Sequence, residues 1–151
     1  MLDIIDLNHR KDLIEIVAHW TWQEWGTENN YFFFKDLVQY SLNENSISQT
    51  FVALLDGEPV GTVSLIKNDL KSRQDLSPWL ASLYIVEEFR HLGLGLKLQN
   101  FVIDRAELLG YKELYLFTKL FGYYEKNEWI FFDEGHSYFG DKVRIYKKVI
   151  I

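Results

Sequence analysis

The residues best equipped for chemistry stand together at Arg90-His91-Leu92-Gly93-Leu94-Gly95, with Lys97 just beyond. Glycines at this spacing let the backbone come close to a ligand. Before them runs an almost unbroken apolar segment, Trp79 to Val86, with the length and apolar density of a strand covered on both faces. After them, Leu94, Leu98, Phe101, Val102, Leu108 and Leu109 recur at the spacing of one helical face. A strand, a glycine turn and a helix in that order aim unpaired N–H groups and a partial positive charge at an anion. Neither of the better-known phosphate motifs fits. A dinucleotide fingerprint needs a further glycine where Leu98 stands, and a P-loop needs Gly-Lys-Ser/Thr where the chain reads Gly95-Leu96-Lys97.

The remaining elements must position this turn. Leu2 to Leu7 reads as a first strand, with Asn8 as N-cap of a helix from His9 to Trp25. Trp20, Trp22 and Trp25 cannot all face one core, because they lie about 200° and then 300° apart around a helix. At least one should therefore reach a groove or another element, and Gly26 should cap the helix. Tyr31 to Leu42 fits a second helix with Phe33, Leu37 and Tyr40 on one face. Thr50–Leu55 and Val60–Ile66 flank Asp56-Gly57, a strong hairpin signal because both central residues accept positive φ. Asn68 to Pro78 is polar and reads as a mobile loop. Beyond the central helix, Gly110 should be its C-cap and Glu113–Thr118 the next strand. Lys119–Asn127 suits a short helix, and Trp129–Phe132 and Lys142–Ile150 suit two closing strands. This order predicts one mixed α/β domain over residues 1–151, with antiparallel neighbours and one parallel crossover.

Composition narrows the function classes. A chain of 151 residues suits a single core, and its 48% hydrophobic content is globular. Aromatic residues reach 17%, enough for some to line a pocket as well as a core. With 0 Cys there is no disulfide, no cysteine metal site and no acyl-cysteine intermediate. The net charge of −6 argues against a nucleic-acid partner and favours a cationic or neutral substrate. Met1 to Asp6 carries no basic leader, and no segment has the ~20 apolar residues that span a membrane. The expectation is a cytoplasmic protein with no membrane or metal partner.

The pattern Arg90-x-x-Gly93-x-Gly95 between a buried strand and a helix resembles the pyrophosphate-binding turn of the GNAT superfamily, the acyl-CoA-dependent N-acyltransferases. The element order is similar to that whole fold: a mostly antiparallel mixed sheet with a splayed parallel pair and flanking helices. Tyr123-Tyr124-Glu125-Lys126 resembles the family's later Tyr-x-x-x-Gly-Phe segment, although Glu128-Trp129 stands where Gly-Phe is expected. Pro78-Trp79-Leu80 and His136-x-Tyr138-x-Gly140-x-x-Val143 look like small bacterial members.

The resemblance implies acetyl-CoA as cofactor. Its pyrophosphate would be held by backbone N–H groups of Leu92, Gly93, Leu94, Gly95 and Leu96, with Arg90, His91 and Lys97 close by. The pantetheine arm would bond exposed backbone at Leu83, Tyr84, Ile85 and Val86. Transfer to an amine needs an acid for the departing sulfur, a base for the amine proton, and donors for the oxyanion. The resemblance makes the acid a tyrosine, Tyr124 ahead of Tyr123. Glu24, His136 or a water relay would be the base, and Trp22, Trp25, Tyr31 and His136 would contact a small-molecule or peptide amine, the aromatic walls suiting cation–π contacts. The apolar end Val143–Ile151 allows a monomer or a homodimer. Two other readings share these features: an acyl-CoA sensor without turnover, and an aromatic binding module unrelated to coenzyme A.

Overall fold

A computed structural model describes residues 1–150. The strands are β1 (Leu2–Asp6), β2 (Gln49–Leu55), β3 (Glu58–Ile66), β4 (Trp79–Ile85), β5 (Glu113–Thr118), β6 (Ile130–His136) and β7 (Lys142–Val149). The helices are α1 (Ile14–Trp25), α2 (Tyr31–Gln39) and α3 (Leu94–Leu108). The strands form one sheet in the order β1-β2-β3-β4-β5-β7-β6. Every neighbouring pair is antiparallel except β4 and β5, which run parallel and meet only where Trp79 faces Tyr115.

Alternation along the strands builds two cores. On β2, Phe51 and Ala53 face the helix α3, packing with Leu98, Val102 and Ala106. Val52 and Leu54, one residue out of phase, face α1 and α2 through Val17, Trp20 and Val38. The Asp56-Gly57 hairpin forms with φ of 50° and 85°, as the turn chemistry predicts.

In β4 the alternation holds only because one residue is extra. Leu80, Leu83 and Ile85 pack toward α3, whereas Ala81 and Tyr84 pack on the other face. Ser82 is the inserted residue: Ala81 opposes Ser64 and Tyr84 opposes Thr62, so Ser82 and Leu83 together face Val63. Its φ of 54° is the left-handed geometry of a bulge. The bulge bends β4 just past its one contact with β5, and the two strands part there.

Several expectations are corrected. The buried stripe of α2 is Phe34 and Val38, not Phe33, Leu37 and Tyr40; Phe33 is 62% exposed and Tyr40 73%. Both stripes are apolar at helical spacing, and docking on the sheet chose between them. Asn8 does not cap α1; Asp6 accepts from the Asn8 N–H at 2.9 Å to cap a short 3-10 turn instead. The segment 68–78 is a packed cover rather than a mobile loop. Leu70 and Leu76 are buried against Trp79, Tyr115 and Ile145, and Arg73 forks onto Asp75 and bonds Asp133 at 2.9 Å. Lys119–Asn127 holds a single 3-10 turn, Tyr124–Asn127, and β6 continues through His136. The expected last strand, Lys142–Ile150, is β7 and ends at Val149; of the apolar end Val143–Ile151, Ile151 lies outside the described residues.

The packed cover carries a cost. Asp69 has no ion pair or hydrogen bond among the described residues, and burial pushes its carboxyl up to about 7. A raised acid binds its proton more tightly folded than unfolded, so stability is full at low pH and falls as pH rises from about 4 through 7. Asp69→Asn should therefore stabilise the protein by about 2 kcal/mol at pH 8 and change little at pH 4. Urea unfolding at the two pH values checks this; an equal gain at both would remove the titration account.

Candidate active site

The site is built where β4 and β5 separate. The Tyr115 N–H still bonds the Pro78 carbonyl at 3.0 Å, but among the described residues no further ladder joins the strands, so beyond Trp79 the β4 backbone has no strand partner on this side. The chain then makes a short 3-10 turn, Glu87–Phe89, before the start of α3.

The glycine turn takes the shape that the spacing suggests. Gly93 is the N-cap of α3 with φ of 79°, and no side chain caps the helix. His91 precedes it at φ of 67°. Among the described residues no acceptor bonds the N–H groups of Leu92 through Leu96, and the helix dipole adds to their field. Leu94 is buried and anchors the turn, while Leu92 and Leu96 stand exposed beside it. Gly95 is constrained differently: a Cβ there would lie 2.9 Å from the Tyr123 hydroxyl. The Arg90 Nε donates to the Ile85 carbonyl at 2.8 Å, and its guanidinium lies over the Tyr84 ring at 5.6 Å. Neither Arg90 nor Lys97 has an ion pair among the described residues, so both positive charges are free for an anion.

The two tyrosines part company in space. Tyr123 turns toward Gly95, whereas Tyr124 is half-buried against Trp129 and Tyr146, at ring distances of 6.2 and 6.3 Å. Their rings meet edge-on at 4.9 Å. Desolvation, then Tyr123, pushes the Tyr124 hydroxyl well above the ordinary phenol range, and it has no hydrogen-bond partner among the described residues. Glu128 adopts φ of 64°, the left-handed conformation, and Trp129 is 2% exposed. Glu128 thus takes a backbone conformation that favours glycine, four residues after Tyr124. Glu128→Gly should relieve that strain and stabilise by about 0.5–1 kcal/mol in thermal unfolding; destabilisation would mean that the glutamate side chain holds something.

The expected acceptor residues are placed less compactly. Trp20 is buried on Tyr84, while Trp22 is half-buried, edge-on to Tyr31 at 5.6 Å, and its Nε1 donates to the Thr27 carbonyl at 2.6 Å. That pair pins the turn between α1 and α2, where a Cβ on Gly26 would sit 2.6 Å from the Trp22 carbonyl. Trp25 is 48% exposed, and Glu24 is exposed with no ion pair or hydrogen bond among the described residues. His136 is not in a loop. It ends β6, the outer strand of the sheet, pairs with Lys142, and accepts from Ser72 Oγ at 2.6 Å through its carbonyl. Among the described residues no ion pair joins Glu24 and His136.

A cavity of about 350 Å³ opens between α2 and the 68–78 cover, lined by Ser41, Ser48, Lys67 and Gln74 among others. It shares Leu37, Ser41 and Ile66 with a void of about 10 Å³ that reaches Ser82 at the bulge. The smaller void has room for about one water. Sequence reasoning missed Ser82, since an inserted residue in an apolar run leaves no pattern. It also missed Gln99, which is buried on α3 and accepts from both Asn127 Nδ2 and Trp129 Nε1.

Known proteins match this architecture. The acetyltransferase (GNAT) family model matches residues 14–137. A GNAT-family acetyltransferase from Streptococcus pneumoniae superposes with a TM-score of 0.71 at 20% identity, covering 99% of this chain and 100% of its own. An aminoglycoside 6′-N-acetyltransferase complexed with coenzyme A gives 0.72 at 17% identity, covering 100% of this chain and 97% of its own. A GNAT-family acetyltransferase from Elizabethkingia anophelis with acetyl-CoA bound gives 0.60 at 18% identity, covering 76% of this chain and 82% of its own. No curated protein matches the sequence. At these identities the structures share the fold, and the family match over most of the length does the rest: the chain belongs to the acetyltransferase (GNAT) family, the acyl-CoA-dependent N-acyltransferases.

Proposed function

We propose that this protein is a single N-acetyltransferase domain that moves the acetyl group of acetyl-CoA directly onto a primary amine, with Tyr124 as the general acid. The observation that carries this reading is the parting of β4 and β5 beside a glycine turn whose amides are unbonded. Two structural relatives hold acetyl-CoA or coenzyme A in the same fold.

The residues divide the work as follows. The N–H groups of Leu92 to Leu96 hold the pyrophosphate, and Arg90, His91 and Lys97 add charge or bulk around it. The backbone at Leu83 to Val86 takes the pantetheine amides on the side turned away from β3 and leaves an N–H for the oxyanion. The Val86 N–H is itself bonded to the Val60 carbonyl, and the Ile85 carbonyl accepts from Arg90 Nε. The amine loses its proton, its nitrogen bonds the acyl carbon, and the C–S bond breaks. Tyr124 gives its proton to the departing sulfur. A tyrosine is already protonated at neutral pH, as an acid must be, and desolvation extends that state to higher pH. Glu24, His136 or water in the void beside Ser82 receives the amine proton. Trp22, Trp25 and Tyr31 wall the acceptor side with aromatic faces suited to an amine.

The test is release of free thiol from acetyl-CoA in the presence of an amine panel: polyamines, aminoglycosides, amino acids and peptide N-termini. Turnover with at least one amine is expected. Tight cofactor binding without turnover on any of them would favour the sensor reading instead.

A further inference from the structure

An acid works only at a fixed distance from the atom it protonates, and the turn that carries Tyr124 cannot hold itself. Tyr124–Asn127 is one 3-10 turn between two left-handed residues, Gly122 and Glu128. An isolated turn of this kind has little stability of its own.

The Tyr146 hydroxyl on Glu125 at 2.8 Å and Lys148 Nζ on the Asn127 carbonyl at 2.6 Å hold the turn to β7. Its buried fastening to the cofactor helix is the amide of Gln99, with Asn100 beside it. Gln99, on the second turn of α3, is 2% exposed. Its Oε1 accepts from Asn127 Nδ2 at 3.0 Å and from Trp129 Nε1 at 3.1 Å. Asn127 Nδ2 also reaches Asn100 Oδ1 at 3.3 Å. The two donors sit at the end of the tyrosine turn and just past Glu128, so they grip the segment on which Tyr124 rides. Around it, Leu98, Val102 and Ala106 make α3's buried face apolar. A glutamine there pays off its desolvation only through these bonds.

We infer that Gln99 is a positioning residue for the transfer reaction. Its carbonyl oxygen locks the Tyr124 turn to α3, so that the acid and the pyrophosphate turn form one rigid unit. This rests on the role proposed for Tyr124.

Only an acceptor is needed, so Gln99→Glu keeps the lock, whereas Gln99→Met keeps length and removes it. Fluorine NMR of protein labelled with meta-fluorotyrosine reads the lock without any acceptor, and Tyr124→Phe identifies the Tyr124 signal. Saturating coenzyme A should shift that signal in the native protein and in Gln99→Glu. In Gln99→Met, coenzyme A should bind within about threefold of native affinity, while the Tyr124 signal broadens and loses its shift. With a turned-over amine, Gln99→Met should lower kcat about tenfold at unchanged KM for acetyl-CoA. That loss should vanish in a Tyr124→Phe background. If Gln99→Met does not fold, Asn127→Ala removes one donor and is read in the same way. A native-like shift in the unlocked variant, or the same loss without the Tyr124 hydroxyl, would overturn the inference and leave the acid reading intact. A native Tyr124 signal indifferent to bound coenzyme A would overturn the acid reading, and with it the role of Gln99.

Discussion

Gly95→Glu is expected to weaken coenzyme A binding more than about 1,000-fold while leaving the protein folded. Three effects act together. The side chain enters the first turn of α3, where the Leu92–Leu96 amides are unbonded, and occupies the place of the anion. Its carboxylate takes those N–H groups for itself and repels a pyrophosphate. Its Cβ also displaces the Tyr123 hydroxyl, which would otherwise be 2.9 Å away. Tyr123 is 42% exposed and can swing outward, so the fold survives the change. Calorimetry with coenzyme A and with pantetheine, which lacks the phosphates, separates these contributions. Loss for coenzyme A with retained pantetheine binding is expected. Native-like affinity for coenzyme A in Gly95→Glu would place the pyrophosphate elsewhere.

Tyr124→Phe is expected to lower kcat about 100-fold, with KM for acetyl-CoA unchanged. The phenylalanine ring keeps the packing on Trp129 and Tyr146, and the lost hydroxyl has no partner among the described residues, so stability should hold. Two features of the native enzyme follow from the same environment. Desolvation raises the hydroxyl's pKa, so the native rate should show no fall from tyrosine ionisation up to pH ~10. The effect should also depend on the leaving group, shrinking for a thioester whose thiol is more acidic and needs less protonation. A Tyr124→Phe enzyme within about twofold of native would hand the acid's role to Tyr123 or to water.

How far the sequence carried the reading depends on the kind of signal. The glycine turn, the hairpin at Asp56-Gly57 and the helix after Gly93 are local, and each formed where its residues placed it. The helix nonetheless buries Gln99 and Ala106 and leaves Leu108 of the expected stripe 76% exposed, because docking on the sheet chose the face. The departure at Glu128-Trp129 was visible as a mismatch, but its resolution was not. Only backbone geometry shows that a glutamate accepts the left-handed conformation there. The segment 68–78 was misread because polar composition is a statistical mark of loops. Its two leucines, Leu70 and Leu76, carry the packing, and what they pack on is remote in sequence. The α2 stripe failed for a related reason: with apolar residues on two adjacent faces, periodicity alone does not choose.

By itself the sequence determined the catalogue of parts. These were a cofactor-like turn ordered strand, glycine, helix; a tyrosine pair after the following strand; an aromatic α1–α2 turn; and no cysteine chemistry. Such features depend on residue type and short spacing, which a chain carries however it folds. Tertiary structure decided the distances. It made Ser82 the extra residue of the β4 bulge where β4 and β5 part, set Tyr123 on Gly95 and Tyr124 half-buried against the core, and left His136 on an outer strand. It also brought Gln99 beneath Asn127 and Trp129, residues about thirty positions apart in sequence. Those outcomes follow from which faces bury against which, a property of the whole packed sheet that no local stretch records.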